Sequence, residues 1–492
     1  MDEHCDVAVI GCGPTGATLA HLLAQCGLRV LVLDREPGPC TLPRAVHFDG
    51  ETMRVLQWIG VADRILPLTA PHPGMRFYGA DGCLLLEWPR PQEIGPQGWR
   101  ANYRFHQPEL DAILRSALAD RSGITLRERC EAFLIEDRGD HVHLRYEDMA
   151  VGRVRHATAA YVVGCDGARS LVRRFIDTPM EDLGFHERWL VIDAILDRDM
   201  PELCDHSVQY CEPTRPATYV RGPAMRRRWE FTVLPHEDST AVADHQSVWA
   251  LLERWITPRD ARLERTAVYT FHSLVARDWR RGRLLLAGDA CHQTPPFMGQ
   301  GLCAGIRDAA NLYWKLALAC RGGPDTERLL ESYASERRPN AREYVATAVR
   351  LGGLINTAET EAALHAALPG ADGTARMESI APPLGDGLGT GPLAGRLFGQ
   401  PRMADGRLMD EALRHRFVLV ADADLVRGIQ VPPSLSLVTT DDSADAAAHL
   451  ARLGAAAALL RPDRYTLGAA DDPDGLAALL DRVLPFLSPE NH

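Results

Sequence analysis

LLLAGDACHQTPPFMGQGLCAGIRDAANL, residues 284–312, is the stretch around which the rest of the chain is organised. It begins as an unbroken apolar run, passes through Gly288-Asp289, enters a loop rich in Pro and Gly, and resumes with helical periodicity near Gly301. A short apolar run bounded by turn residues reads as a buried strand, and a glycine followed by a 3.6-residue apolar period reads as a helix start. The expected layout is strand, loop, helix, with Asp289 delivered to the carboxyl end of the strand. A carboxylate there can hold a polyol hydroxyl. The amides of Gly301, Leu302 and Cys303 have no intrahelical partners, which makes a partly positive helix end suited to an electron-rich edge.

A second motif, near the amino terminus, fits this one. Residues 5–10 form an apolar strand, Gly11-Cys12-Gly13-Pro14-Thr15-Gly16 a glycine loop, 17–26 a helix and 28–33 a second strand ending at Asp34. Gly11 permits the tight turn, Gly13 lets a diphosphate approach the backbone, and Gly16 lets helix and strand pack closely. Asp34 can take adenosine ribose hydroxyls. The unit binds a dinucleotide but does not by itself separate FAD from NAD. The distant Gly288-Asp289 segment does, because a nicotinamide-only fold has no need of it, and the helix end at Gly301 then meets the flavin's pyrimidine edge. With FAD in this site, Arg35 flanks the adenosine end and does not select an NADP phosphate. Gly385-Asp386-Gly387-Leu388-Gly389 echoes the glycine loop, but no apolar strand precedes it, so it reads as linker.

The 492-residue length implies two or three domains. A composition of 46% hydrophobic and 24% charged residues is that of a soluble globular chain, and a net charge of -12 argues against nucleic-acid or anionic-membrane partners. The positive charge is nearly all Arg, Lys315 being the only Lys. No apolar run is long enough to span a bilayer and residues 1–6 lack a hydrophobic leader, so a cytoplasmic protein is expected. The 12 Cys are scattered singly without a CxxC, which favours reduced thiols over disulfides or zinc, and no metal site is expected.

Between the two motifs, residues 43–49 (PRAVHFD) join a Pro/Gly loop to an amphipathic helix at 50–59, and residues 105–110 (FHQPEL) open another helix. Residues 161–173 (YVVGCDGARSLVR) repeat the strand-then-turn pattern, with Asp166 either at the cofactor or capping a helix. From 175 to 283 the pattern becomes antiparallel: strands at 189–196, 207–211, 217–220, 228–234 and 267–271, a hairpin turn at 221–227 and a helix at 250–255. A helix at 326–354 should kink or break at Pro339. After a Pro/Gly connector at 382–401, strands at 416–421, 436–439 and 456–461 and helices at 444–453 and 473–484 suggest a small α/β tail.

Taken together these segments resemble the FAD-dependent aromatic hydroxylases, the class A flavoprotein monooxygenases, and residues 287–312 look most like the 3-(3-hydroxyphenyl)propionate hydroxylase branch. Many members have Asn where this chain has Cys303. The resemblance implies an α/β fold with a Rossmann-like FAD-binding domain (1–75, 101–174 and 281–380). It also implies an inserted β-sheet substrate domain of the p-hydroxybenzoate hydroxylase type (76–100 and 175–280), a linker (381–400) and a thioredoxin-like tail (401–492) without CxxC. Besides Gly11, Gly13, Gly16, Asp34, Arg35 and Asp289, it implies FAD contacts from Arg44, Gln107, Asp166, Pro296, Gly299, Gly301, Leu302 and Cys303. The implied reaction uses NADH or NADPH to reduce FAD, captures dioxygen as a flavin hydroperoxide, and delivers one oxygen to a phenol, ortho to its hydroxyl. A small phenolic substrate is the implied partner; the oligomeric state stays open, a homodimer being one expectation. A phenylpropanoid acid and a polyphenol are both compatible substrates.

A free phenol has a pKa of about 10, so only roughly 0.1% is phenolate at pH 7 and reaching it costs about 4 kcal/mol. A positioned base is therefore expected. His47 is the first candidate, because it follows Arg44 and titrates near neutrality; the alternative is a solvated or capping histidine beside Asp49. His292 comes second, with a structural hydrogen bond the stronger reading. Tyr219 would add a wall and a hydroxyl from the sheet, although strand alternation could equally turn it into the core. The expected pocket lies between residues 44–48, strands 217–220 and 228–234, and residues 295–297. A flavin halogenase needs a reactive Lys and a W-x-W motif, and no W-x-W occurs. A flavin oxidase or dehydrogenase, and a non-enzymatic FAD-fold carrier, are the other rivals.

Overall fold

The strand Glu3–Ile10 sits at the centre of a parallel sheet, paired with Val30–Asp34 on one side and Arg153–Gly164 on the other. Val30–Asp34 continues to Ile124–Glu128, and Arg153–Gly164 to Leu284–Leu286. This is the computed structural model of the chain, which describes residues 3–323, 325–357 and 380–486; residues 358–379 of the expected FAD-binding domain and 487–492 of the tail lie outside them. Val7, Val9, Val30 and Val32 are buried because helices cover the sheet, which is why these strands read as continuous apolar runs. Helix Pro14–Gln25 packs against helix Gly301–Cys320, so the two glycine-bearing motifs, nearly 300 residues apart, meet at one end of the sheet. Asp289 lies just past Leu284–Leu286, in the 3₁₀ turn Gly288–Ala290.

A second, largely antiparallel sheet stands beside the first. Its order is His292–Gln293, Ala261–Ala276, Met180–Leu196, Arg226–Thr232, Ala217–Arg221, Ser207–Cys211, Gly74–Gly79 and Leu84–Pro89. Two strands are much longer than the sequence suggested, at 17 residues for Met180–Leu196 and 16 for Ala261–Ala276. Their outer halves are half-exposed and bulged near Asp182/His186, so they carry no apolar alternation to read. The hairpin turn is shorter than 221–227, and the nearby helix is His245–Leu252, not 250–255. One face of this sheet buries Leu190, Ile192, Tyr219, Trp229 and Phe231 against Val242, Val248 and Leu252 of the helical layer. The other face carries Asp193, Gln209, Thr218, Arg228 and Glu230, all buried.

Of the kink or break expected at Pro339, the break does not occur: helix Thr326–Thr357 runs through the proline. The linker lies along this turn, and Gly385 N donates to Glu336 O at 2.9 Å, one residue after the Ser335 carbonyl that loses its helical donor to the proline. The tail is a four-stranded sheet ordered Ser436–Thr439, Val418–Ala421, Ala457–Leu460, Thr466–Ala470, parallel in its first pair and antiparallel afterwards. Buried charge holds it to the first domain. Asp410 takes Arg54 at 2.5 Å and Arg464 at 2.7 Å, while Glu336 takes Lys315 at 2.7 Å and Arg461 at 2.8 Å. Among the described residues no helix is long and apolar enough to cross a membrane.

Candidate cofactor and substrate site

Each glycine of the first loop has a different physical reason. Gly11 has φ +98°, and a Cβ there would stand 2.5 Å from the Cys165 carbonyl oxygen; a Cβ on Gly16 would overlap the Gly11 carbonyl oxygen. Gly13, at the N-cap of helix Pro14–Gln25, has nothing within 4 Å, so the loop opens onto free space where a diphosphate could lie. Asp34 accepts hydrogen bonds from Cys12 N and Glu36 N, both at 2.9 Å, and pairs with Arg115. Arg115, from helix Gln107–Ala119, was not foreseen; it also holds Glu128 at 2.8 Å and fixes the end of the second strand. Arg35 is exposed and pairs with Glu36 at 3.2 Å, a position at the rim.

At the Gly288-Asp289 turn, Asp289 lies deep in the protein mass, where burial raises its carboxyl above the usual range, yet its surface is open. It therefore faces internal space, and no described residue hydrogen-bonds it. The charges of His292 and then Arg44 act on Asp289 in the opposite direction to burial, and Arg44 forms no ion pair with it. Gln107 Oε1 accepts from Ala45 N at 2.7 Å and so sets the loop that carries Arg44. Helix Gly301–Cys320 starts without a side-chain cap, its first backbone bond being Ala304 N to Gln300 O at 2.8 Å, which leaves the amides of Gly301, Leu302 and Cys303 open. The Cys303 side chain is buried, donates to Gly299 O at 3.8 Å and has its thiol pushed up to about 12, so it is inert and offers only its amide. Pro296 belongs to the 3₁₀ turn Pro296–Met298, and Gly299, with φ +63°, ends it.

The turn is braced from behind. Asp308 accepts from Gly288 N at 2.9 Å, His292 Nε2 at 2.6 Å and Arg337 Nε at 2.9 Å. Arg173 bridges Ala290 O at 2.9 Å and Ala168 O at 2.7 Å, joining the turn to the Asp166 loop. His292 is thus structural. Cys291, His292 and Asp308 lie close enough for a cation, but Arg337 already neutralises Asp308 and burial holds the Cys291 thiol far above its ordinary pKa, so the donor set suits an ion pair and not a metal. Asp166 Oδ2 accepts from Leu171 N at 2.6 Å and Val172 N at 3.3 Å, the capping role, and leaves Oδ1 buried without a partner.

On the substrate side, His47 begins the short strand His47–Asp49 and is buried, not solvated. Asn102 Oδ1 accepts from Arg90 Nη1 at 3.1 Å, so it must also be an acceptor for His47 Nε2 at 2.8 Å. That leaves His47 Nδ1, 3.4 Å from Gly299 O, as the basic nitrogen. Burial and the Arg90 charge hold its pKa below the ordinary histidine value. Asp49 is engaged elsewhere, accepting from Thr52 N at 2.9 Å and pairing with Arg307. Tyr219 does not reach this region. It faces the helical layer, its ring 5.3 Å from that of Trp229, and burial pushes its hydroxyl up to about 12, because in-register pairing puts it on the apolar face. The opposite face is the one toward the Arg44 loop: Arg228 donates to Arg44 O at 2.6 Å and to Pro43 O, and is held by Asp193 at 2.7 Å. Phe297 meets Phe185 and Trp189 edge-on at 5.4 and 5.6 Å, an aromatic wall that begins in the flavin-side loop.

A family model described as FAD binding domain matches residues 4–348. The chain is 36% identical over 517 residues to a probable NADH-specific resorcinol 4-hydroxylase of Rhodococcus jostii (strain RHA1), covering 98% of this chain and 95% of that protein. It is 29% identical over 546 residues to a 3-(3-hydroxy-phenyl)propionate/3-hydroxycinnamic acid hydroxylase of Escherichia coli (strain SMS-3-5 / SECEC), covering 99% and 96%. Among solved structures it is similar to the flavin-dependent monooxygenase PieE, with TM-score 0.85, 22% identity and 99% coverage of both chains. A p-nitrophenol 4-monooxygenase, PnpA from Pseudomonas putida DLL-E4, gives TM-score 0.66 at 24% identity over 73% of this chain and 91% of that one. These likenesses define the fold as the mixed α/β, p-hydroxybenzoate hydroxylase-like fold of flavin monooxygenases. With an open glycine loop at Gly13, an unpartnered Asp289, an uncapped helix start at Gly301, a FAD-binding family model over residues 4–348 and a full-length relative at 36% identity, the chain belongs to the FAD-dependent aromatic hydroxylases.

Proposed function

We propose that this enzyme hydroxylates a phenolic ring ortho to an existing hydroxyl, with NADH as the favoured reductant, and that His47 Nδ1 receives the phenol's proton. The observations that carry the reading are an Asp289 with no hydrogen-bond partner among the described residues, within electrostatic reach of Arg44, and a helix that starts uncapped at Gly301. Bound FAD supplies the redox chemistry that takes electrons from the nicotinamide and activates dioxygen. Gly13 and Asp34 would hold its diphosphate and ribose, Asp289 its ribityl hydroxyls, and Arg44 would lie on its flavin side. His47 is neutral before reaction, which is the state a base requires, and Gly299 O stands where the charged imidazole gains an acceptor. Arg228 and Arg265, both held by Asp193, donate to the carbonyls of Pro43 and Arg44, so the loop that carries Arg44 is positioned by the sheet. NADH is favoured because a full-length relative bears the name of a probable NADH-specific resorcinol 4-hydroxylase.

The same reading divides the chain into a FAD-binding unit (1–75, 101–174, 281–380), a substrate sheet (76–100, 175–280), a linker and a thioredoxin-like tail. In sequence order the tail strands lie 2-1-3-4, which supports that likeness, and the absence of Cys from residues 401–492 makes its role structural. A cytoplasmic homodimer completes the proposal, in keeping with cysteines present as free thiols. The test is NADH and NADPH consumption by the FAD-loaded enzyme across a panel of phenols, with products identified by mass. Nicotinamide oxidation without any product 16 mass units heavier than its phenol would sink the proposal.

A further inference from the structure

The two kinds of named relative differ in substrate charge. Resorcinol is a neutral ring with two hydroxyls, whereas 3-(3-hydroxyphenyl)propionate carries a carboxylate. A pocket for the second must provide a cation, and a pocket for the first must provide acceptors for hydroxyl hydrogens.

Glu230 lies in strand Arg226–Thr232, paired in register with Val191 and Thr218, on the face that carries Arg228. Its side chain is 10% exposed and accepts no hydrogen bond among the described residues; the nearest cation, Arg228 Nη1, is 3.7 Å from Oε1. Arg228 is committed elsewhere, its Nε at 2.7 Å from Asp193 and its other nitrogens on Pro43 O and Arg44 O. Arg265 donates to Pro43 O at 2.6 Å, faces Asp193 at 3.3 Å and stacks over Tyr269 at 5.0 Å. The two guanidiniums of this cluster, Arg228 and Arg265, are thus matched by two carboxyl groups, Asp193 and Glu230. Thr218 spends its hydroxyl hydrogen on Gln209 Oε1 at 2.7 Å, and Gln209 Nε2 goes to Ala217 O at 3.0 Å. A buried carboxyl left without a donor costs stability unless a ligand completes it. In either protonation state one of its oxygens has a lone pair to offer.

We propose that Glu230 determines specificity: its carboxyl accepts the second hydroxyl of a neutral dihydroxybenzene-type substrate, and the balanced charge around it disfavours a substrate with a carboxylate tail. This rests on the aromatic-hydroxylase reading. The test measures dissociation constants of resorcinol, 3-methoxyphenol and 3-(3-hydroxyphenyl)propionate on the FAD-loaded enzyme, through the change each makes in the flavin absorbance. Wild type should bind resorcinol roughly tenfold or more tightly than the other two, because a site built around a donor rejects the analogue that lacks it. Glu230→Leu should erase the preference over 3-methoxyphenol, and Glu230→Gln, which keeps an oxygen acceptor, should restore most of it. Equal binding of resorcinol and 3-methoxyphenol by wild type overturns the proposal, as does a preference that survives Glu230→Leu. If Glu230→Leu fails to fold, the wild-type comparison decides alone. If no phenol binds or is hydroxylated although FAD is bound, the hydroxylase reading itself falls, and this assignment with it.

Discussion

Asp289 faces internal space with no hydrogen-bond donor of its own, so replacing it with Asn should move two measurements in opposite directions. Toward FAD, the change weakens a charge-assisted hydrogen bond worth about 1.5–3 kcal/mol, which corresponds to roughly 10- to 150-fold in affinity. Toward the empty protein the sign reverses. Burial raises the Asp289 pKa above its unfolded value of about 3.9, so its contribution to stability is full below that value and is lost as pH rises through the raised one. Above that raised value the ionised group is a burden that Asn removes. FAD-free Asp289→Asn should therefore unfold at the same temperature as FAD-free wild type or higher, while FAD titrated into the mutant, followed by flavin fluorescence, should bind at least tenfold more weakly. Unchanged FAD affinity would refute the assignment of Asp289 to the cofactor. A mutant destabilised without FAD would show instead that Asp289 is bonded within the chain.

The glycine loop offers a contrast between neighbours. Gly16→Ala should destabilise even the FAD-free protein, by about 1–3 kcal/mol in chemical denaturation, because its Cβ overlaps the Gly11 carbonyl; Gly13→Ala, with nothing within 4 Å, should leave that stability intact and lower only FAD affinity. Asp410→Ala leaves Arg54 and Arg464 buried and unpaired and should cost about 3–5 kcal/mol, read as a lower denaturation midpoint. The two arginines hold the Asp410 carboxyl far below its usual range, so in wild type this stability is present above about pH 4 and is lost as pH falls below it. His47→Ala should keep FAD and still oxidise NADH but release hydrogen peroxide in place of product, with coupling restored toward the phenol's own pKa of about 10. Wild-type coupling at all pH values in that variant would remove His47 from the mechanism.

What the sequence made legible was local. The roles of Gly11 and Gly16, the start of the helix at Gly301 and the delivery of Asp289 past a buried strand all follow from spacing within about 30 residues, and the structure has them in those places. Contacts between distant segments left no such signal. Arg115 reaches Asp34 across 81 residues, and Arg337 reaches Asp308 from a helix that was expected to kink or break at Pro339. Tyr219 illustrates a question of parity: a five-residue strand reads the same whichever face is buried, and only its register against Trp229 decides. Glu230 and Asp193 went unnoticed because a charged residue inside an apolar strand looks like its solvent face. Here that face is turned inward, toward the Arg44 loop. The tail's attachment was hidden for a related reason, since nothing local to Arg461 and Arg464 points to Glu336 and Asp410, which lie far from them in the sequence.

The central claim, transfer of one atom of dioxygen to a phenol, is tested most directly with isotopically labelled oxygen. The FAD-loaded enzyme is supplied with NADH, resorcinol and ¹⁸O₂ in ordinary water, and the product is weighed by mass spectrometry. The account predicts a trihydroxybenzene carrying one ¹⁸O, formed in near-equal amount to the NADH consumed. Hydrogen peroxide as the sole fate of the oxygen, with the ring unchanged or merely dehydrogenated, would contradict it and favour a flavin oxidase.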